Sequence, residues 1–160
     1  MGALKVLQYN VNKSRNKVLA PLLADRRVRE YDVIAIQEPW RNTYDSAAYN
    51  PRGSGFTLID QGVSGSRVSI YINNRLAEGS WSGTFHSKDM STVSMRLAGE
   101  TTMMINIHNV YNPPPYSYME DEETEPIEAL AQALRMPGEH IMMGDFNLHY
   151  LLWSGTERIH

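Results

Sequence analysis

Four apolar runs of strand length in this chain each end abruptly in a cluster of polar residues, and that recurrence constrains the fold more than any other feature. Leu4 to Asn10 closes on Gln8-Tyr-Asn10, and Asp32 to Glu38 runs into Gln37-Glu-Pro-Trp40. Thr102 to Asn109 leads into Val110-Tyr-Asn-Pro113, and His140 to Asp145 into Gly144-Asp-Phe-Asn147. Short runs of this kind, without polar alternation, read as strands buried on both faces. Leu4 to Asn10 accordingly reads as a central strand. If the four strands lie side by side, Asn10, Glu38, Tyr111, Asp145 and Asn147 converge on one cleft.

The remaining segments fill in the architecture. Ser14 is placed to cap a helix carrying Val18, Leu19, Leu22 and Leu23, two i/i+4 pairs on one face. Pro21 inside it predicts a bend or a restart. Between about Phe56 and Asn109 the chain is punctuated by Gly and Ser and rich in β-formers. Phe56 to Asp60, Arg67 to Ile72, Met90 to Leu97 and Thr102 to Asn109 are expected strands, with a further one in Gly79 to His86. Asn112-Pro-Pro-Pro-Tyr116 reads as a rigid loop. Glu120 to Glu125 holds five acids in six residues, ahead of helical spacing from Ile127 to Leu134. Acids and Pro126 suit the first turn of that helix, so the run reads as a solvated helix start. A strand and helix, then consecutive strands, then a helix and strand predict an α+β fold with mixed or antiparallel sheets, not a doubly wound parallel one.

The 160 residues suffice for one domain with a hydrophobic core, and residues 1–160 read as a single domain. No apolar run approaches the ~18 residues of a membrane span. Met1 to Asn10 shows no secretory h-region, and Val6 breaks the myristoylation pattern after Gly2. Without cysteine there is neither disulfide nor thiolate metal site, which fits an intracellular protein. The net charge of −3 argues against a stand-alone DNA binder, since binding to phosphates gains from a basic face. An enzyme touching a few phosphates around a metal is compatible with it.

The convergent residues suit phosphodiester hydrolysis. Mg²⁺ takes hard oxygen ligands and keeps several waters, so Glu38 with the amide oxygen of Asn10 offers a partial site. Tyr111 and Asn147 are donors for charge developing on phosphorus, and Asp145 is placed to orient a water. Singly, each has a plainer reading: a solvated Glu, a core-edge Tyr, a Gly-Asp turn, an Asn cap. Their joint occurrence in order, each after an apolar strand, outweighs those readings.

The strings QYNVNKS, DVIAIQEPW, NVYNPP and MMGDFNLHYLLWSG resemble the endonuclease/exonuclease/phosphatase superfamily, most of all the endonuclease domains of non-LTR retrotransposons. The resemblance runs from Leu4 to Gly155. It implies a four-layered α/β/β/α sandwich with the site at the strand ends, using Mg²⁺ or Mn²⁺. Carried onto this chain, it places Asn10 and Glu38 at the metal, with Glu38 the principal ligand. It makes Tyr111, Asp145 and Asn147 catalytic: transition-state donor, water-aligning group and holder of the scissile phosphate. His149 and Trp153 match a signature after GDFN, with His149 a substrate-binding candidate. Tyr150 replaces a second His there, and Ser154 separates Trp153 from Gly155.

The family pattern ends in further strands and a Ser-Asp-His motif that this sequence does not contain. The expectation is therefore a domain incomplete at its C-terminus, impaired or inactive as it stands. His160, following Ile159, is a poor substitute, and His86, His108, His140 and His149 read as strand or loop residues. The resemblance implies DNA as partner, no membrane, a nuclear site of action, and in a longer protein a downstream reverse transcriptase. Three alternatives stand beside a DNA-cutting enzyme. They are a catalytically dead remnant, a phosphodiesterase or phosphatase acting on inositol phosphates or lipids, and a nucleic-acid-binding module.

Overall fold

A computed structural model describes residues 3–99, 101–114 and 126–147. Its strands form two four-stranded sheets. The first holds β1 (Val6–Asn10), β2 (Val33–Gln37), β3 (Phe56–Ile59) and β4 (Val68–Asn73), in the order β1-β2-β4-β3. The second holds β5 (Trp81–Ser87), β6 (Met90–Leu97), β7 (Met103–Tyr111) and β8 (Glu139–Asp145), in that order. Both are mixed: β1 with β2 and β7 with β8 pair parallel, and the other neighbours antiparallel. The fold is an α+β sandwich.

Strand β2 shows how the layers arise. All five of its residues are buried, and alternation sends them to two different cores. Ile34 and Ile36 pack with Leu19, Leu23 and Val28 from the helical segment between β1 and β2. Val33, on the other face, packs with Ile70, Val93, Ile105 and Ile107 between the sheets. On the far side of the second sheet, α2 (Pro126–Ala133) lays Ala129, Leu130 and Ala133 against Met90 and Val110. The order of layers is thus helix, sheet, sheet, helix. Each fully buried Ile or Leu contributes about 1.5–3 kcal/mol to this packing.

Two local expectations are corrected. Among the described residues β1 pairs only with β2 and lies at the end of its sheet, with Gln8 and Tyr9 exposed. The central, fully covered strand is β2. The helix expected from Ser14 begins as a π turn, Arg15–Leu19, in which Leu19 N–H donates to the Ser14 carbonyl (3.1 Å). The Ser14 side chain makes no capping bond. The α-helix α1 (Ala20–Ala24) then restarts with Pro21 in its first turn, where proline costs no hydrogen bond.

The outer face of the second sheet carries a file of polar side chains. His140 Nε2 meets the Met136 carbonyl at 3.0 Å. A carbonyl only accepts, so that nitrogen carries the proton and Nδ1 is the acceptor for His108 Nε2–H (2.9 Å). His108 Nδ1 then accepts from Thr92 Oγ1–H (2.7 Å), whose oxygen accepts from His86 Nε2–H (2.8 Å). One carbonyl thereby orders the donors and acceptors along the file. Burial holds His108 at a pKa of about 4, with help from His140 and His86, and burial also lowers His86.

An unfolded histidine takes up its proton near pH 6.5. Between there and about 4 the unfolded chain binds more protons than the folded one. This contribution to stability is complete above the unfolded value and is lost as the pH falls through that window. Urea unfolding at several pH values is expected to show a steeper acid loss for the wild type than for His108→Gln. The difference should reach at most about 1.4 kcal/mol per pH unit, one proton's worth. Equal slopes would show that His108 titrates normally.

Candidate active site

The pairing directions bring six strand ends to one rim of the sandwich. Parallel β1 and β2 finish there, as do parallel β7 and β8, so the first sheet delivers Asn10 and Glu38 and the second delivers Tyr111 and Asp145. The antiparallel neighbours β4 and β6 begin at the same rim, which places Arg67 and Asp89 beside them. Asn147 follows β8 by two residues.

Asn10 sits at the junction of the sheets. Its Nδ2 donates to Glu38 Oε1 and to Asp145 Oδ2, both at 3.1 Å, so one amide holds two carboxylates together. Its Oδ1 accepts from Asn12 N–H (2.9 Å). That bond uses one lone pair of the Asn10 oxygen and leaves the second for a cation. Asn147 N–H donates to Asp145 Oδ1 (3.3 Å) and its side-chain amide to the Asn112 carbonyl (2.7 Å). Asn112 Nδ2 in turn donates to the Phe146 carbonyl (2.7 Å). The side-chain NH₂ of Asn147 has a second hydrogen available.

The backbone is strained where the functional groups are. Glu38 and Asn147 have φ of 47° and 45°, in the left-handed region. Asparagine tolerates that region, but for glutamate it costs roughly 1–3 kcal/mol. Bonds on both sides hold Glu38 there: its N–H donates to the Arg67 carbonyl and its carbonyl accepts from Lys13 N–H, each at 2.8 Å.

Tyr111 is buried, with its hydroxyl hydrogen-bonded to Glu38. Burial raises its pKa above the ordinary tyrosine value, and the negative charges of Glu38 and Asp145 add to this against the opposing Arg67. It is therefore a neutral O–H donor at physiological pH. Arg67 lies over the Tyr111 ring, 5.3 Å from Cζ to centroid, and is held there by two bonds to Asp89 (2.5 and 2.6 Å). Asp89 also accepts Tyr111 N–H on its backbone oxygen (2.8 Å).

Beneath these groups runs an amide network that is buried at Gln37 and Asn109. Gln8 Nε2 donates to Gln37 Oε1, and Gln37 Nε2 donates to Asn109 Oδ1, both at 2.5 Å. Asn109 Nδ2 donates across the sheet interface to the carbonyls of Ile36 (3.0 Å) and Ser69 (2.9 Å).

Of the residues singled out from sequence, the structure brings Asn10, Glu38, Tyr111, Asp145 and Asn147 to this one rim. His149, Trp153 and the acidic run Glu120 to Glu125 lie outside the described residues. His86, His108 and His140 belong to the polar file on the outer face of the second sheet. Arg67 and Asp89 were not singled out. The available signal was a charged residue standing immediately before each of the apolar strands β4 and β6.

The model of the endonuclease/exonuclease/phosphatase family matches residues 7–158. This chain belongs to that family. A search among curated proteins found no match to it. Membership supports hydrolysis of the nuclease or phosphatase type, and family enzymes generally use divalent metals. The donors at the rim fit such an ion in kind. They are hard oxygens, and among the described residues neither Glu38 nor Asp145 is ion-paired to a basic side chain. Two adjacent carboxylates joined by a neutral amide leave negative charge that a hard cation offsets. Among the described residues no group of three or more His, Cys, Asp or Glu gathers.

The candidate site also depends on Gly144. It pairs with Val110 in the parallel ladder, and a Cβ there would stand 1.9 Å from the Val110 carbonyl oxygen, at a φ of 155°. Any side chain would push β8 away from β7 one residue before Tyr111 and Asp145. Gly144→Ala is expected to destabilise the fold by at least about 2 kcal/mol, read as a lower urea midpoint. An unchanged midpoint would mean that the two strands need not approach so closely.

Proposed function

We propose that this chain carries the site of a retrotransposon-type endonuclease that hydrolyses phosphodiester bonds of DNA in a Mg²⁺-dependent reaction, with activity reduced by the lack of a Ser-Asp-His segment in its sequence. The observation that carries the reading is the Asn10 amide holding Glu38 and Asp145 together, with no basic side chain paired to either among the described residues. A structural role alone would not favour two unneutralised carboxylates at one rim. The strings shared with retrotransposon endonucleases support DNA over inositol phosphates or lipids as substrate. On this reading the protein acts on chromosomal DNA in the nucleus, with a reverse transcriptase domain downstream in a longer protein. No helix among the described residues is long and apolar enough to cross a membrane.

Glu38 is the residue that would hold Mg²⁺ (or Mn²⁺), and Asn10 would complete the site from the same side. The bound ion would offset charge on the phosphate oxygens. Asp145 is fixed by Asn10 on one oxygen and by Asn147 N–H on the other. It accepts the proton of the attacking water and orients it in line. Tyr111, kept protonated by burial and by Glu38, turns its one hydroxyl hydrogen from Glu38 to a non-bridging phosphate oxygen as negative charge grows there. The remaining Asn147 amide hydrogen holds the phosphate in register.

The test combines supercoiled-plasmid nicking, with Mg²⁺ and with chelator, and calorimetric titration of Mg²⁺. Nicking should need the metal and fall ~10²–10⁴-fold in Asp145→Ala and ~10²–10³-fold in Tyr111→Phe. Metal binding should weaken in Glu38→Ala. Faster release of phosphate from inositol polyphosphates than nicking of DNA would replace the substrate. Mg²⁺ binding unchanged in Glu38→Ala would remove Glu38 from the site.

A further inference from the structure

A cleft of about 430 Å³ opens beside Glu38, and Lys13, Trp40, Gly65, Ser66, Arg67 and Lys88 are among its lining residues. Its charge is opposite to that of the whole chain, which is −3. Glu38 is its one acid, set against Lys13, Arg41, Arg67 and Lys88. Arg41 is committed to Asp60 through two bonds (2.7 and 2.8 Å) and to the carbonyls of Ser46 and Ser66. Arg67 is committed to Asp89. Lys13 and Lys88 are exposed, and among the described residues neither is ion-paired.

The two lysines are fixed relative to the candidate metal ligand. Arg67 N–H donates to the Lys88 carbonyl (2.7 Å), Glu38 N–H to the Arg67 carbonyl (2.8 Å), and Lys13 N–H to the Glu38 carbonyl (2.8 Å). This unbroken row of backbone bonds crosses four loops, with a lysine at each end and Glu38 inside. Three rungs of sheet spacing make it about 14 Å long. The Lys88 side chain lies along the bare backbone of Gly65, its Nζ 4.0 Å from where a Cβ would stand. Lys13 sits in a left-handed turn (φ 58°) directly after the Asn10–Asn12 contact.

From this row we infer that the cleft is a second phosphate subsite, in which Lys13 and Lys88 hold backbone phosphates of a nucleic-acid strand next to the one at Glu38. The inference rests on the hydrolase reading above and sharpens it. A lone phosphate monoester needs no cations spread along a row of this length, whereas a polymer with a phosphate at every residue engages both ends at once. The lysines thus select a strand over a small phosphate ester.

The experiment measures binding without cutting. Anisotropy of a fluorescent single-stranded oligodeoxynucleotide is titrated with the full chain in chelator over a range of salt. Three proteins are compared: wild type, Lys13→Gln/Lys88→Gln, and Arg26→Gln/Arg96→Gln. The last pair removes the same charge from two exposed positions, one in the helical turn ahead of β2 and one near the far end of β6. Each lost phosphate contact lowers the log–log salt slope by about 0.7, so the lysine pair should lower it by about 1.4 and the arginine pair should leave it at the wild-type value. Equal slopes for the two double variants would overturn the subsite, leaving general electrostatics. An inositol polyphosphate whose binding falls as far as the oligonucleotide's in the lysine variant would overturn the strand preference. Mg²⁺-dependent nicking is read separately. A slope change without nicking in the wild type keeps the subsite and removes the hydrolase reading, and nicking without a slope change does the reverse.

Discussion

Asn109 reaches out of the second sheet and gives both hydrogens of its amide to backbone carbonyls of the first, at Ile36 and Ser69. Two sheets packed through aliphatic side chains alone could slide by a residue at modest cost, because Val, Ile and Met contacts are not directional. The amide is directional. A one-residue slip would leave its donors unpaired in the core, at about 1–3 kcal/mol for each buried group left unsatisfied. Gln37 and Gln8 extend the constraint to β1. Glu38 is the next residue after Gln37, and Tyr111 lies two after Asn109. The registration of the sheets and the placement of the site groups are consequently one fact.

The rim divides the work between backbone and side chain. Left-handed Glu38 and the bare Gly144 bring carboxylates where ordinary strand geometry would not. Their cost is met by backbone bonds on both flanks of Glu38 and by the aliphatic core below it. The charges are sorted with equal economy. Arg41 and Arg67 are paired locally with Asp60 and Asp89, and the Asn10 amide bridges Glu38 and Asp145.

Much of this was legible in the sequence, for identifiable reasons. β2 announces itself because every residue is covered, and β8 because an apolar run stops at Gly-Asp. The residues at the ends of parallel strands follow from the same pattern. Arg67 and Asp89 escape it because they stand at the beginnings of antiparallel strands, and only the topology reveals that those beginnings share a rim with the other ends. The apolar run from Leu4 to Asn10 suits a central strand, whereas β1 lies at the end of its sheet with Gln8 and Tyr9 exposed. Ser14 looked like a cap, but the following turn closes on its carbonyl with π geometry. The histidine file was invisible because Thr92, His108 and His140 occupy alternate positions that, read alone, describe a wet sheet face.

One backbone bond, from Arg67 N–H to the Lys88 carbonyl, joins the loops that lead into β4 of one sheet and β6 of the other. It makes the sandwich behave as a clasped book, stitched at the rim that bears the acids. Thermal breathing of the sheets should then swing about that edge and be widest at the opposite end, where Lys5, Arg75 and Leu97 line an open cavity. Amide protons along the clasp would exchange with solvent only when the whole layer pair parts, while those near Leu97 escape through small local openings. Such an edge keeps its spacing through the fluctuations that any marginally stable protein undergoes, and a group that must meet a phosphate from a fixed direction is best placed on it.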